Sequence, residues 1–200
     1  MESGIISLEE LYEFARKDPS GKALKRDTPK GLEYGRLVQN LTAEDEDIPN
    51  DCGGLYLWGT YKNNKQWENI YIGQSGYSTN ANLRQRIVDN ELKKEGVFLW
   101  RHSPNFRTDE KLIEHCENLG YNVRNSRQHW KRSLRKAGTT RIIWVTTPEL
   151  TNGQVKEVES DLIETMNPRV NKDRPVPPNT RQQITLKIIG EFRRRIHENR

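Results

Sequence analysis

The sequence predicts an α+β fold, a small three-stranded, mostly antiparallel sheet flanked by helices and carrying helical insertions. Three observations lead there. Gly53 to Tyr61 and Trp67 to Gln74 both alternate with a period of two, and Lys62-Asn63-Asn64-Lys65 between them is turn chemistry, so the pair reads as a hairpin. Arg141 to Thr147 is a β-branched run suited to a third strand. The segments around these strands carry helical spacing bounded by capping residues.

Ser7-Leu8-Glu9-Glu10 fits a capping box, which places a helix of about ten residues ahead of Asp18-Pro19-Ser20-Gly21. Residues 18–50 then read mostly as loop, with one short helix near 31–41. Asn82 opens a helix to about Lys94, Thr108 caps another that stops at Gly120, and 124–137 is a strongly basic helix stopping at Gly138. A helix from Gln154 to Met166 is ended by Asn167-Pro168. After the Pro-rich stretch from Asp173 to Asn179, Thr180 and Gln183 cap a final amphipathic helix with Ile184, Ile188, Ile189, Phe192 and Ile196 inward. The chain thus divides into an extension at 1–50, a central domain at 51–172 with a basic insertion at about 91–140, and a tail at 173–200.

Composition narrows the function. At 32% hydrophobic and 30% charged, the chain supports a modest core under a heavily solvated surface. Its apolar runs are far too short for a membrane span of ~20 residues, and Met1-Glu2-Ser3-Gly4 opens no secretory signal. Two cysteines, Cys52 and Cys116, frame neither a disulfide scaffold nor a Cys-rich zinc site. A reducing, cytoplasmic setting is therefore the expectation. The net charge of +5 is unevenly spread: residues 1–50 hold 7 basic and 11 acidic side chains, whereas 118–148 hold 7 basic and none acidic. Residues 169–200 add 9 basic against 3 acidic. Basic segments of this kind suit a polyanion, nucleic acid first among them.

Strand parity sorts the hairpin. Leu55, Leu57, Ile70 and Ile72 are expected to line the core, and Tyr56, Trp58 and Tyr71 to project from the opposite side. In the helix at 154–166, Val155, Leu162 and Met166 fall close together on the helical wheel, and Glu159 lies at about 40°, inside that apolar stripe. A charged carboxylate there costs several kcal/mol if unpaired. It needs an Arg or Lys, a backbone donor or a metal ion.

Gly54-Leu55-Tyr56 followed by Tyr71-Ile72-Gly73 resembles the signature of the GIY-YIG nuclease superfamily. Asn82-Leu83-Arg84-Gln85-Arg86-Ile87 is similar to that family's first helix, with its arginine at Arg86. Glu159-Ser160-Asp161-Leu162-Ile163, then Pro168 and Asn171, is similar to its metal-binding helix and the following turn. The likeness covers about 53–90 and 141–172. It departs in a longer interval between Tyr71 and Arg86, taken up by Gly76-Tyr77-Ser78-Thr79-Asn80, and in Asn90, where many members carry a histidine one helical turn after the arginine. His102, His115 and His129 are the insertion's candidates to replace it.

The resemblance implies hydrolysis of DNA phosphodiesters with a divalent cation, Mg²⁺ or Mn²⁺ in its place, held by Glu159 as the single protein carboxylate. Water and phosphate oxygens would complete the shell, as suits a hard ion. Tyr56 would take the proton of the attacking water, Tyr71 would hydrogen-bond alongside, Arg86 would bind the phosphate, and Asn171 would support the turn behind them. A tyrosine with a pKa of ~10 needs nearby positive charge to act as a base at neutral pH. Lys62 and Lys65 on the hairpin loop and Arg84 are candidates for DNA contact, as are Arg124, Arg127, Lys131, Arg132, Arg135 and Lys136 of the basic helix. The expected function is a metal-dependent endonuclease of double-stranded DNA. With 200 residues leaving little space for a separate recognition domain, a compact restriction type is favoured. A phage, mobile-element or repair nuclease is the alternative, and a DNA-binding protein with a lapsed nuclease fold is the rival of another class. Cutting a palindrome on both strands would suggest a homodimer, for which the final helix offers an apolar face.

Overall fold

The computed structural model describes residues 1–17, 29–43, 47–63, 65–78, 81–94, 138–171 and 183–200. The elements in order are β1 (Ser3–Ser7), α1 (Glu9–Lys17), α2 (Pro29–Ala43), β2 (Gly54–Tyr61), β3 (Trp67–Ser75), a π-helix (Gln85–Lys94), β4 (Arg141–Thr146), α3 (Asn152–Met166) and α4 (Gln183–Glu198). The sheet has four strands in the order β1-β4-β2-β3, and all three pairings are antiparallel.

The expectation of three strands is corrected by β1. Ser3-Gly4-Ile5-Ile6-Ser7 is too short to stand out as a period, yet it pairs with β4 from Ser3↔Val145 to Ser7↔Arg141. The first 50 residues, expected as an extension, therefore supply an edge of the central sheet. Ser7 closes that strand, and the helix that follows starts at Glu9.

Both faces of the sheet are covered. Leu55, Leu57, Ile72, Ile143 and Val145 pack against Val155, Val158, Leu162 and Ile163 of α3 and Ile188, Ile189 and Phe192 of α4. Tyr56, Trp58, Ile142 and Trp144 face the other way, into a second core with Leu11 of α1, Tyr34 and Val38 of α2, and Ile87 and Val88 of the π-helix. Period-two alternation thus marks two buried faces rather than one buried and one projecting.

Ile70 breaks the parity. The pairing steps from Trp58↔Tyr71 to Gly59↔Asn69, so Ile70 is the extra residue of a β-bulge. The bulge turns Ile70 away from Ile72 and into the core that holds Tyr56 and Trp58. The expectation that Ile70 shares the face of Leu55 and Leu57 is thereby corrected.

The inward set expected of the final helix holds, with Ile184 and Ile196 partly buried at the margins. That face covers the chain's own sheet, so the apolar surface offered above for a homodimer is already occupied. Thr185 of α4 also donates from Oγ1 to Oδ2 of the buried Asp161 at 2.9 Å, tying α4 to α3.

Candidate active site

Tyr56 is the third residue of β2, paired with Gly73 on one side and Trp144 on the other. Its ring is fully buried and meets that of Tyr71, with centroids 6.2 Å apart. Tyr71 also packs on Trp58 at 4.6 Å. The two tyrosines therefore do meet across the hairpin.

The two glycines closest to them are needed for close approach. A Cβ on Gly73 would lie 2.4 Å from Cζ and Oη of Tyr56, and one on Gly54 would lie 2.3 Å from the carbonyl oxygen of Val145. Gly73 makes space for the tyrosine ring, and Gly54 lets β2 reach β4.

Arg86 comes from the helix that Asn82 opens, Asn82 Oδ1 accepting from the Gln85 N–H at 2.7 Å. Beyond this cap the chain winds as a π-helix, whose i→i+5 bonding brings residues five apart onto one side. Arg86 and Glu91 are such a pair. Nη2 of Arg86 lies 3.0 Å from Oε1 of Glu91, and Nε of Arg86 donates to the Tyr56 hydroxyl at 3.2 Å. Tyr56 in turn donates to Oε1 of Glu91 at 3.0 Å. Glu91 is 7% exposed. From α2, the Tyr34 hydroxyl donates to the Leu92 carbonyl at 2.6 Å and fixes this end of the helix.

Glu91 is the residue that sequence reasoning missed. On an ideal α-helix it would sit about 140° around from Arg86, with Asn90 the neighbour one turn on. The π-winding brings Glu91 under Arg86 instead. No α-helical spacing in the sequence points to it.

The electrostatics follow from this geometry. Burial pushes the Tyr56 hydroxyl well above its ordinary pKa, and Glu91 and Tyr71 push the same way while Arg86 opposes them. The positive charge expected to make Tyr56 a ready base is present in Arg86 but outweighed. Burial disfavours the Arg86 charge, yet Tyr56 and Glu91 hold the guanidinium protonated above its usual range.

Glu159 lies half-buried on α3, which Thr151 starts with a capping box to Gln154. Burial raises its pKa from 4.5 to about 7, against the pull of the Arg86 and Lys156 charges. Among the described residues, no hydrogen bond or ion pair reaches the Glu159 carboxylate. Nor do three or more His, Cys, Asp or Glu side chains gather into a metal cluster among the described residues. A cation at α3 would have Glu159 as its ligand, a hard oxygen donor of the kind Mg²⁺ takes singly alongside its own waters.

Asn171 uses its whole amide on β3, accepting from the Ile72 N–H and donating to the Ile72 carbonyl, both at 2.9 Å. With Val170 N–H bonded to the Ile70 carbonyl at 2.8 Å, it lays the chain after α3 along the edge strand. Asn167, the left-handed residue that ends α3, allows that turn. Asn171 thus holds α3 against β3 rather than reaching the Tyr56 cluster.

The other candidates lie elsewhere. Lys62 pairs with Glu68 at 3.4 Å on the hairpin. Lys65 lines a groove with Trp67, Arg193, His197 and Arg200. Arg84 binds Asp47 and the Ile48 carbonyl, securing the loop before β2. Arg124, Arg127, Lys131, Arg132, Arg135 and Lys136, with His102, His115 and His129, fall outside the described residues. No helix of the described residues is long and apolar enough to cross a membrane.

Comparison of the chain with protein-family models, with curated proteins and with solved structures yields no match.

Proposed function

We propose that the chain is a metal-dependent DNA endonuclease of the GIY-YIG type, with Tyr56, Arg86 and Glu159 as its reacting constellation. The observation that carries this reading is the half-buried Glu159 carboxylate, which no side chain among the described residues pairs with, within the field of Arg86. A folded chain keeps such a group where a cation or a reaction uses it. A divalent ion on Glu159 would stabilise charge developing on a phosphate. Arg86, with 42% of its side chain exposed, can leave its internal partners to donate to phosphate oxygens. Double-stranded DNA is the substrate that the basic run at 118–148 favours. A sequence-specific restriction role fits a chain whose recognition elements are its own insertions, with phage, mobile-element or repair nucleases as the alternatives.

The second reading, DNA binding without cleavage, draws on the full burial of Tyr56, whose hydroxyl must be uncovered before water reaches it. Purified protein with Mg²⁺ and supercoiled plasmid separates the two. Nicking or linearisation that EDTA abolishes is expected. Binding with no cleavage favours the second reading, and cleavage undiminished in EDTA removes the metal from the proposal.

A further inference from the structure

We infer that Glu91 is the proton acceptor behind Tyr56, a positioning residue through which the tyrosine hands on the proton of the attacking water. This rests on the nuclease reading and adds to it a residue outside the quoted motifs. The Tyr56 hydroxyl has one proton to give and two lone pairs with which to accept. Its proton is directed at Glu91 Oε1, 3.0 Å away. One lone pair takes the Arg86 Nε–H at 3.2 Å. The other can take a water once the buried hydroxyl is uncovered.

The step balances without a tyrosinate. The water oxygen forms its bond to phosphorus as one water proton moves to Tyr56 Oη. The original Tyr56 proton moves to Glu91 Oε1, and the scissile P–O bond breaks with its electron pair on the leaving oxygen, which takes a proton from solvent. Tyr56 is a phenol before and after. Such a relay suits a site where burial and Glu91 both oppose a phenolate. It also frees Arg86: once Glu91 is neutral, the guanidinium loses its internal counter-charge and turns to the phosphate. Among the described residues, Glu91 meets Tyr56 of β2 and Arg86 of its own helix, while Tyr71 of β3 packs beside Tyr56 and Glu159 of α3 lies within the field of Arg86.

The test is single-turnover cleavage of plasmid in Mg²⁺ by the parent protein, Glu91→Gln, Tyr56→Phe and the double variant. DNA-binding isotherms in Ca²⁺ and circular dichroism accompany it. Glu91→Gln is expected to slow cleavage about 100-fold or more, with DNA binding retained or tightened because Arg86 loses its internal counter-charge. The double variant should be no slower than the slower single one, because the two groups act as a unit. The log rate of Glu91→Gln should climb with pH at a slope of about one, as hydroxide replaces the lost acceptor, while the parent's levels off. Should the amide disturb folding, Glu91→Asp keeps the charge beside Arg86 but draws it back from Tyr56. It should slow cleavage in the parent background and leave Tyr56→Phe unaffected. Parental rates in a folded Glu91→Gln, or losses at the two positions that multiply, would overturn the relay and leave the nuclease reading standing. A parent that binds DNA and never cuts it would overturn both.

Discussion

The ring of Tyr56 lies over Gly73, so close that a Cβ at that position would come within 2.4 Å of Cζ and Oη. The hydroxyl cannot simply step aside, because Glu91 and Arg86 hold it and the ring is wholly buried. Gly73→Ala is therefore expected to displace the phenol from both partners. Overpacking of this kind costs about 1–3 kcal/mol. The effect on cleavage should exceed the effect on folding, with a loss of at least tenfold in a protein that still melts cooperatively. Thermal melts beside single-turnover rates check this. Parental cleavage by Gly73→Ala would mean that the hydroxyl position is not what catalysis requires.

Asn171 offers a cleaner test of what holds α3 in place. Its amide both gives to and takes from the Ile72 backbone. Asn171→Ala strands a partly buried N–H and C=O, a loss of about 1–3 kcal/mol, read as a fall of several degrees in Tm. Asn171→Asp keeps an acceptor for the N–H but turns a carboxylate oxygen toward the Ile72 carbonyl. It should be at least as unstable as the alanine variant near neutral pH and recover part of the loss when the carboxyl is protonated. Equal melting of all three proteins would deny the side chain this role.

How much of this could be read in advance depends on which forces are local. The hairpin, the apolar stripe of α3 and the inward face of α4 follow from periodicity, which the burial of Leu55, Leu57, Val158 and Ile188 reflects. Tyr56 and Tyr71 meet on one face because the bulge at Ile70 shifts the register between the turn and Trp58↔Tyr71. What escaped is non-local. Five residues from Ser3 to Ser7 become a strand only because β4 offers an edge 138 residues after Ser3, at Arg141. The bulge at Ile70 is decided by the pairing of two strands, not by either sequence. Glu91 enters the site through π-winding, which no α-helical spacing announces.

The basic run of the insertion makes a prediction from charge alone. Arg127, Lys131 and Arg135 lie in a stretch with no acidic residue from 118 to 148. If they neutralise phosphates, replacing all three with Gln should weaken DNA binding and flatten the slope of log K against log[salt] by about 2.7, since each contact releases about 0.9 counterion. Binding titrations at several salt concentrations measure both. An unchanged slope would place DNA elsewhere, and the groove of Lys65, Arg193 and Arg200 would be the next surface to neutralise.

Glu159 makes the last prediction, and one that needs no catalysis to read. Its carboxyl has a pKa of about 7 in the folded chain against 4.5 as the ordinary value, so folding takes up a proton between those limits. The folded state then binds more protons than the unfolded one, and stability falls as pH rises from about 4.5 through 7. Below that window the carboxyl is neutral in both states and costs nothing. Glu159→Gln removes the charge and with it the penalty. In EDTA at pH 8 the variant should be more stable than the parent by about 1 kcal/mol, once the shift is discounted for a carboxylate that still meets solvent. At pH 4 the two should melt together. Adding Mg²⁺ at pH 8 should raise the Tm of the parent, because an ion that binds only the folded protein stabilises it by mass action, and should leave Glu159→Gln unmoved. Cleavage by that variant should fall by orders of magnitude while DNA binding persists. A parent that gains nothing from Mg²⁺, or a folded Glu159→Gln that gains as much as the parent, would remove Glu159 as the metal ligand whatever the DNA assays record.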